Sequence, residues 1–199
     1  MIIGVDCDGV LTDMTAYICR YGEKWFKRKP VDPCGESVSE IFGVSEKEEF
    51  RFGLRYFFTY CRKWPPRENA AEVVEKLGQC GHIPYQITAR KFVTSHDPLG
   101  AYSRYLYRQW LRKNGFHFRG IFFCSEKNAL EDKLAGCRKL SVDVMIDDRS
   151  DIALHLAKNG IRVLLFNTPY NQGTEGENII RVYDWNDVFE KIAALSGEG

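Results

Sequence analysis

Long apolar runs are missing from this sequence. None approaches the roughly 20 consecutive residues that a bilayer-crossing helix needs, so no membrane is expected as a partner. An excess of charge of one sign is missing too. The 28 basic and 27 acidic residues leave a formal net charge of +1, and no global field pulls the chain towards a nucleic acid polymer. Cysteine is present but unpatterned: the seven residues form no CxxC and share no paired Cys/His spacing. That excludes a zinc finger and argues against a disulfide framework, leaving reduced thiols and an expected cytoplasmic location. The four histidines, His82, His96, His117 and His155, lack metal-ligand spacing. The opening MIIGVDCDG has neither a basic segment nor a long apolar one, so it is not expected to act as a secretory signal. Repeats and low-complexity tracts are also lacking.

What is there is a globular composition, 44% hydrophobic, enough for a sizeable core. Five short apolar runs read as buried parallel strands: Ile2–Asp6, Ile83–Thr88, Gly120–Cys124, Val142–Ile146 and Ile161–Phe166. Helical patterns alternate with them. Asn69–Gln79 sets Ala71, Val74 and Leu77 on one face, and Ala101–Asn114 carries a broad stripe of Tyr102, Tyr105, Leu106, Trp110 and Leu111. Further helices are expected at about Asn128–Leu140, Ile152–Asn159 and Trp185–Leu195. Strand and helix in alternation predict an α/β fold with a doubly wound, Rossmann-like parallel sheet.

Residues 14–64 break the rhythm. A right-handed crossover needs far fewer residues, so this segment is expected to be an inserted helical subdomain, with the core formed by 1–13 and 65–199. The insert is rich in aromatics, among them Tyr17, Trp25, Phe52, Tyr56, Phe57 and Tyr60. Those rings suit a small helical core, and also the wall of a pocket for a flat or apolar group. Pro65-Pro66 marks the return to the core.

Chemistry-bearing residues gather at the ends of the predicted strands, where open α/β sheets bind ligands. Asp6 and Asp8 end the first strand and share a side if the chain stays extended; two such carboxylates repel unless a hard cation joins them. Gly9 lets the chain turn sharply there. Cys7, of opposite parity, is expected to face the core. After the second strand, Thr88 offers a hydroxyl and Ala89 a backbone N–H, while Arg90 suits either a phosphate or a surface acid. Lys133 lies in the helix before the fourth strand, and Lys127 is its rival. Asp147 and Asp148 follow that strand directly, with Asp151 as a third acid or a helix cap.

The order Asp-x-Asp, Thr, Lys, Asp-Asp resembles that of the haloacid dehalogenase (HAD) superfamily of phosphohydrolases. The matching residues are Asp6-Cys7-Asp8-Gly9-Val10-Leu11-Thr12-Asp13, Thr88, Lys133 and Asp147-Asp148. More narrowly the chain resembles the C-type 5′-nucleotidases, which include the deoxyribonucleotidases. Ile87-Thr88-Ala89-Arg90, Trp110-Leu111, Val144–Asp148, Thr168-Pro169-Tyr170-Asn171 and Asp184-Trp185 carry that likeness. The resemblance implies a HAD-type core with a small helical cap and an Mg2+-dependent phosphomonoester hydrolase. Asp6 would be the nucleophile and Asp8 the general acid and base. Asp6, Asp8 (through its carbonyl), Asp147 and Asp148 would hold the metal, Asp148 directly or through water. Thr88, Ala89, Arg90 and Lys133 would bind phosphate. The implied partner is a small-molecule phosphate, foremost a nucleoside monophosphate, with a sugar phosphate or other small metabolite as the alternative. A receiver-like phospho-acceptor module is disfavoured, because there the acid pair precedes the lone acceptor. A non-catalytic binding module has no feature in its favour. The oligomeric state is open, with a homodimer among the alternatives.

Overall fold

The computed structural model describes residues 1–197; the end of the expected core, 198–199, lies outside the described residues. The chain opens with β1 (Ile2–Val5), followed by three helices, α1 (Met14–Phe26), α2 (Val38–Phe42) and α3 (Glu46–Lys63). Then come α4 (Ala70–Gln79), β2 (Ile83–Ala89), α5 (Pro98–Lys113), β3 (Ile121–Cys124) and α6 (Ala129–Leu140). The remainder is β4 (Val144–Asp147), α7 (Ser150–Lys158), β5 (Arg162–Phe166), β6 (Ile179–Val182) and α8 (Trp185–Ser196). All neighbouring strands run parallel, in the order β3-β2-β1-β4-β5-β6. The fold is the doubly wound α/β arrangement, with its direction of winding reversing between β1 and β4.

Strand parity decides which helix each residue meets. Ile3, Val5, Val144, Ile146, Leu164 and Phe166 pack on one face, against α4, α5 and α8. Ile87, Met145, Val163 and Leu165 pack on the other, against α6 and α7. Cys7 keeps the parity of Ile3 and Val5 and joins the first face, as expected. Asp6 takes the opposite parity, towards α6.

The helices between β1 and α4 carry their own apolar clusters. Ile18, Val38, Ile41, Phe42 and Phe52 form one. Tyr17, Tyr60, Cys61 and Leu106 form another, which ties α1 and α3 to α5. Gly22 makes the α1–α2 contact possible: a Cβ there would lie 2.2 Å from a Phe42 ring carbon. Ser37 and Ser45 cap α2 and α3 with full capping boxes, closed by Glu40 and Glu48.

Three details depart from the sequence reading. A sixth strand, β6, extends the sheet beyond β5; it has four residues, one of them Arg181, and lies at the edge, where a short half-polar run suffices. Helix α5 starts at Pro98, capped by Asp97, earlier than the periodicity suggested. On α5, Leu106, Tyr107, Trp110 and Leu111 are buried, whereas Tyr102 and Tyr105 stay exposed.

Candidate active site

The expected residues meet at the carboxyl ends of β1, β2 and β4. Asp6 continues β1 by one residue, its N–H bonded to the Ile146 carbonyl at 2.9 Å. The chain then wraps round the Cys7 carbonyl, which accepts from the N–H groups of Val10, Leu11 and Thr12. Gly9 turns with φ +89°, and a Cβ there would sit 2.0 Å from an Asp148 carboxylate oxygen, so the position admits only glycine. Asp147 is the last residue of β4 and Asp148 the next.

Carboxylate oxygens of Asp6, Asp147 and Asp148 lie within 4.8 Å of one another, and all three residues are buried. It is the one such group among the described residues. Lys133 reaches them from α6, itself 1% exposed. Its ammonium donates to Asp147 Oδ2 at 2.5 Å and lies 3.3 Å from Asp6 Oδ1. Lys127 is exposed on the surface. The second Asp147 oxygen accepts from the Arg149 N–H at 3.2 Å. Asp148 is fixed from behind: the Tyr170 hydroxyl donates to Oδ2, and the Asn171 amide donates to the backbone carbonyl at 2.6 Å.

Three buried carboxyl groups crowd round one ammonium. Burial first, then Asp147 and Asp8, push the Asp6 carboxyl up to about 7 against the pull of Lys133. Burial and Asp147 likewise push Asp148 well above the usual carboxylate range. Asp148 Oδ1 is buried without a hydrogen-bond donor, an arrangement that native structures avoid, and Asp6 Oδ1 has only the Lys133 ammonium, 3.3 Å away. The surplus of acids over ammonium, the all-oxygen donors and the orphaned Asp148 oxygen fit one hard divalent cation.

Thr88 is wholly buried near the end of β2, and its hydroxyl also lacks a partner. Ala89, the last residue of β2, lines the cavity beside it. Arg90 turns towards Asp8: its Nε lies 3.2 Å from Asp8 Oδ2, and its guanidinium packs between the Tyr60 and Tyr107 rings. Tyr60 of α3 donates to the other Asp8 oxygen at 2.6 Å, and Thr12 Oγ1 lies 2.6 Å from the same Tyr60 hydroxyl. Asp8 is thus gripped on both oxygens. Asp151 stays out of the acid cluster and does not cap α7; it pairs with Arg149 at 2.6 Å, and Arg149 is itself the cap residue.

A cavity of about 510 Å3 opens over these groups. Asp6, Asp8, Ala89, Arg90, Lys133 and Asp148 form its floor; Phe52, Tyr56 and Phe57 of α3 form part of the facing wall. A second hollow, about 590 Å3, lies at the amino ends of the strands near Met1, Gly81 and Asp143 and holds none of the three clustered acids. The roles of Tyr60 and Tyr170 were not legible in sequence. A tyrosine within an aromatic insert or a loop has no local signature of contact with a distant acid.

The model of a family described as 5′ nucleotidase, deoxy (pyrimidine), cytosolic type C protein matches residues 1–196. The chain belongs to this family. Among relatives of this chain is a nucleotidase of Clostridium acetobutylicum, 29% identical over 197 residues, covering 97% of this chain and 94% of that one. Another, provisionally named a 5′(3′)-deoxyribonucleotidase, comes from Chlorobaculum tepidum; it is 24% identical over 201 residues, covering 98% and 91% of the two chains. Solved structures share the fold. A HAD family hydrolase from Deinococcus radiodurans, with bound phosphate and sodium, superposes with a TM-score of 0.67 at 14% identity over 98% of this chain and 96% of that one. A D,D-heptose 1,7-bisphosphate phosphatase from B. bronchiseptica, complexed with magnesium and phosphate, gives 0.58 at 15% identity over 98% of each chain. The family match makes the chain a phosphatase, and the solved structures show that it has the fold of HAD family hydrolases.

Proposed function

We propose that this phosphatase is an Mg2+-dependent 5′-nucleotidase that cleaves nucleoside monophosphates through an aspartyl-phosphate on Asp6. The observation that carries the reading is the meeting of Asp6, Asp147 and Asp148 within 4.8 Å of one another, beside the buried Lys133.

The residues divide the work by chemistry. Asp6 attacks phosphorus in line, its carboxylate oxygen replacing the nucleoside 5′-oxygen and forming an acyl phosphate. Asp8 gives its proton to that leaving oxygen; ionised again, it takes a proton from the water that hydrolyses the acyl phosphate. Asp6, Asp147, Asp148 and the Asp8 carbonyl would hold Mg2+, which supplies positive charge to the nucleophile and to the phosphoryl oxygens. Lys133 orients Asp6 and neutralises the equatorial oxygens, and the free Thr88 hydroxyl with the Ala89 backbone binds one of them. Arg90, held at Asp8, positions the acid and adds positive charge at the phosphate side.

Residues 14–64 act as a cap on the core of 1–13 and 65–199. Phe52, Tyr56 and Phe57 offer an aromatic wall to the leaving group, which suits a nucleobase better than a bare sugar. The test is phosphate release with Mg2+ across nucleoside monophosphates, sugar phosphates and small phosphoesters. Nucleoside monophosphates are expected to lead, and Asp6→Asn is expected to abolish turnover with an unchanged circular dichroism spectrum. Turnover retained in Asp6→Asn would refute the nucleophile; a sugar phosphate leading the panel would refute the substrate class.

A further inference from the structure

Helix α3 turns six residues to the cavity: Glu49, Phe52, Gly53, Tyr56, Phe57 and Tyr60. Five carry large side chains. The sixth, Gly53, sits half-buried in the middle of the helix and of that face. Glycine is the least favourable residue for a helix interior after proline, so its place there needs a reason. The backbone supplies none, since Gly53 is not among the residues with positive φ. Packing supplies none either. At Gly22, Gly100 and Gly136 an added Cβ would strike a neighbour at 2.8 Å or less, whereas at Gly53 it meets nothing within 4 Å.

One row of the face is filled by Phe52 and Tyr56, their ring centres 5.0 Å apart. The row beside it runs Glu49, Gly53, Phe57, and there the wall is bare. Its two flanking residues stand about 12 Å apart along the helix axis. Phe57 is propped edge-on by Phe92 of the loop after β2, with ring centres 5.7 Å apart and planes at 89°. Glu49 Oε2 accepts from the Ser39 N–H at 3.1 Å, and Oε1 has no partner among the described residues.

We propose that the bare backbone at Gly53 seats the flat ring of the leaving group, and that Gly53 sets which leaving groups fit. The proposal rests on the nucleotidase reading above and adds the residue that admits the base. Between the two flanks a thin, planar group fits where a thicker one is held off. The ring lies against the helix, meets Phe57 in an edge or offset contact and turns an N–H or amino group to Glu49 Oε1. A flat ring with a donor on its edge is a nucleobase; a sugar or a glycerol is not planar and offers nothing to stack.

The test is steady-state kinetics of Gly53→Ala and Gly53→Leu on nucleoside monophosphates with Mg2+, alongside competitive inhibition by the free nucleoside and by inorganic phosphate. Gly53→Ala is expected to melt about 2 °C higher than wild type, because alanine suits the helix and meets no clash, so a loss of binding cannot be laid to unfolding. Its KM for the nucleotide is expected to rise about tenfold, and that of Gly53→Leu about a hundredfold, with the loss in KM rather than kcat. Inhibition by the nucleoside is expected to weaken in step, while inhibition by inorganic phosphate, which needs only the cavity floor, holds. An unchanged KM in Gly53→Leu overturns the proposal, and so does an equal weakening of nucleoside and phosphate. A wild-type chain that cleaves no nucleoside monophosphate overturns the nucleotidase reading and this proposal with it, so the wild-type result tells the two failures apart.

Discussion

Lys133 shares its charge between two carboxylates, with its ammonium 2.5 Å from Asp147 and 3.3 Å from Asp6. Without a cation the acids still outnumber it, and Asp6 bears the consequence. Burial above all pushes its carboxyl in the folded state from the ordinary 3.8 up to about 7. The folded state therefore binds more protons than the unfolded state between those values, so stability falls as pH rises through that window and levels off above it. Asp6→Asn removes the charge and with it the loss, which is of order a few kcal/mol. In chelator at pH 8, Asp6→Asn is thus expected to melt higher than wild type, at about 2–4 °C for each kcal/mol, with the gap closing towards pH 4. Differential scanning calorimetry at the two pH values checks this; a wild-type chain melting higher than Asp6→Asn at pH 8 would show that Lys133 outweighs burial. The acids and Thr88 were legible in the sequence because each lies on or beside a strand end, where residue type and position point to chemistry together; Lys133, inside α6, was legible only through the family resemblance. Arg90 was legible only as a cation: its pairing with Asp8 depends on where β2 lies beside β1.

Helix α3 is the element of the proposed cap that touches the proposed general acid. Its Tyr60 donates to Asp8 at 2.6 Å. Tyr60→Phe keeps the buried ring and deletes the donor, so the fold is expected to hold while Asp8 loses one of its two anchors. Phosphoenzyme formation in a single turnover is expected to slow about tenfold with a nucleotide, whose alkoxide must be protonated as it leaves. The loss is expected to be smaller with p-nitrophenyl phosphate, whose leaving group needs no proton. Equal losses on both substrates would mean that Tyr60 packs without positioning the acid. At this scale the sequence showed the long helices well and the edges poorly. β6 went unseen because Ile179–Val182 is short and carries Arg181, whose side chain donates to Asn167 and Asn171. Tyr102 and Tyr105 were read into the α5 stripe because periodicity reports apolar positions, not which neighbour covers them.

At the scale of the whole molecule, the site exists only where the two halves of the sheet meet. Asp6 and Thr88 come from one half, and Asp147 and Asp148 from the other side of the winding reversal between β1 and β4. A cation bound there bridges the halves, and it favours the folded state in proportion to its affinity. Mg2+ at a hundredfold excess over its dissociation constant is expected to add about 2.7 kcal/mol and to raise the melting temperature by several degrees. A melting temperature indifferent to Mg2+ and chelator alike would show that the acids hold no metal. Among the described residues no helix is long and apolar enough to cross a membrane.

The strand order also bears on how the molecule is made. β1 leaves the ribosome before the other five described strands yet lies in the middle of the sheet, between β2 and β4. At ordinary rates of translation, the stretch from Asp6 to Asp147 takes on the order of ten seconds to synthesise. Until β4 is made, one edge of β1 has no neighbour and the proposed nucleophile lacks Asp147 and Asp148. On the proposed mechanism, a chain truncated before β4 is expected to carry Asp6 without the means to use it.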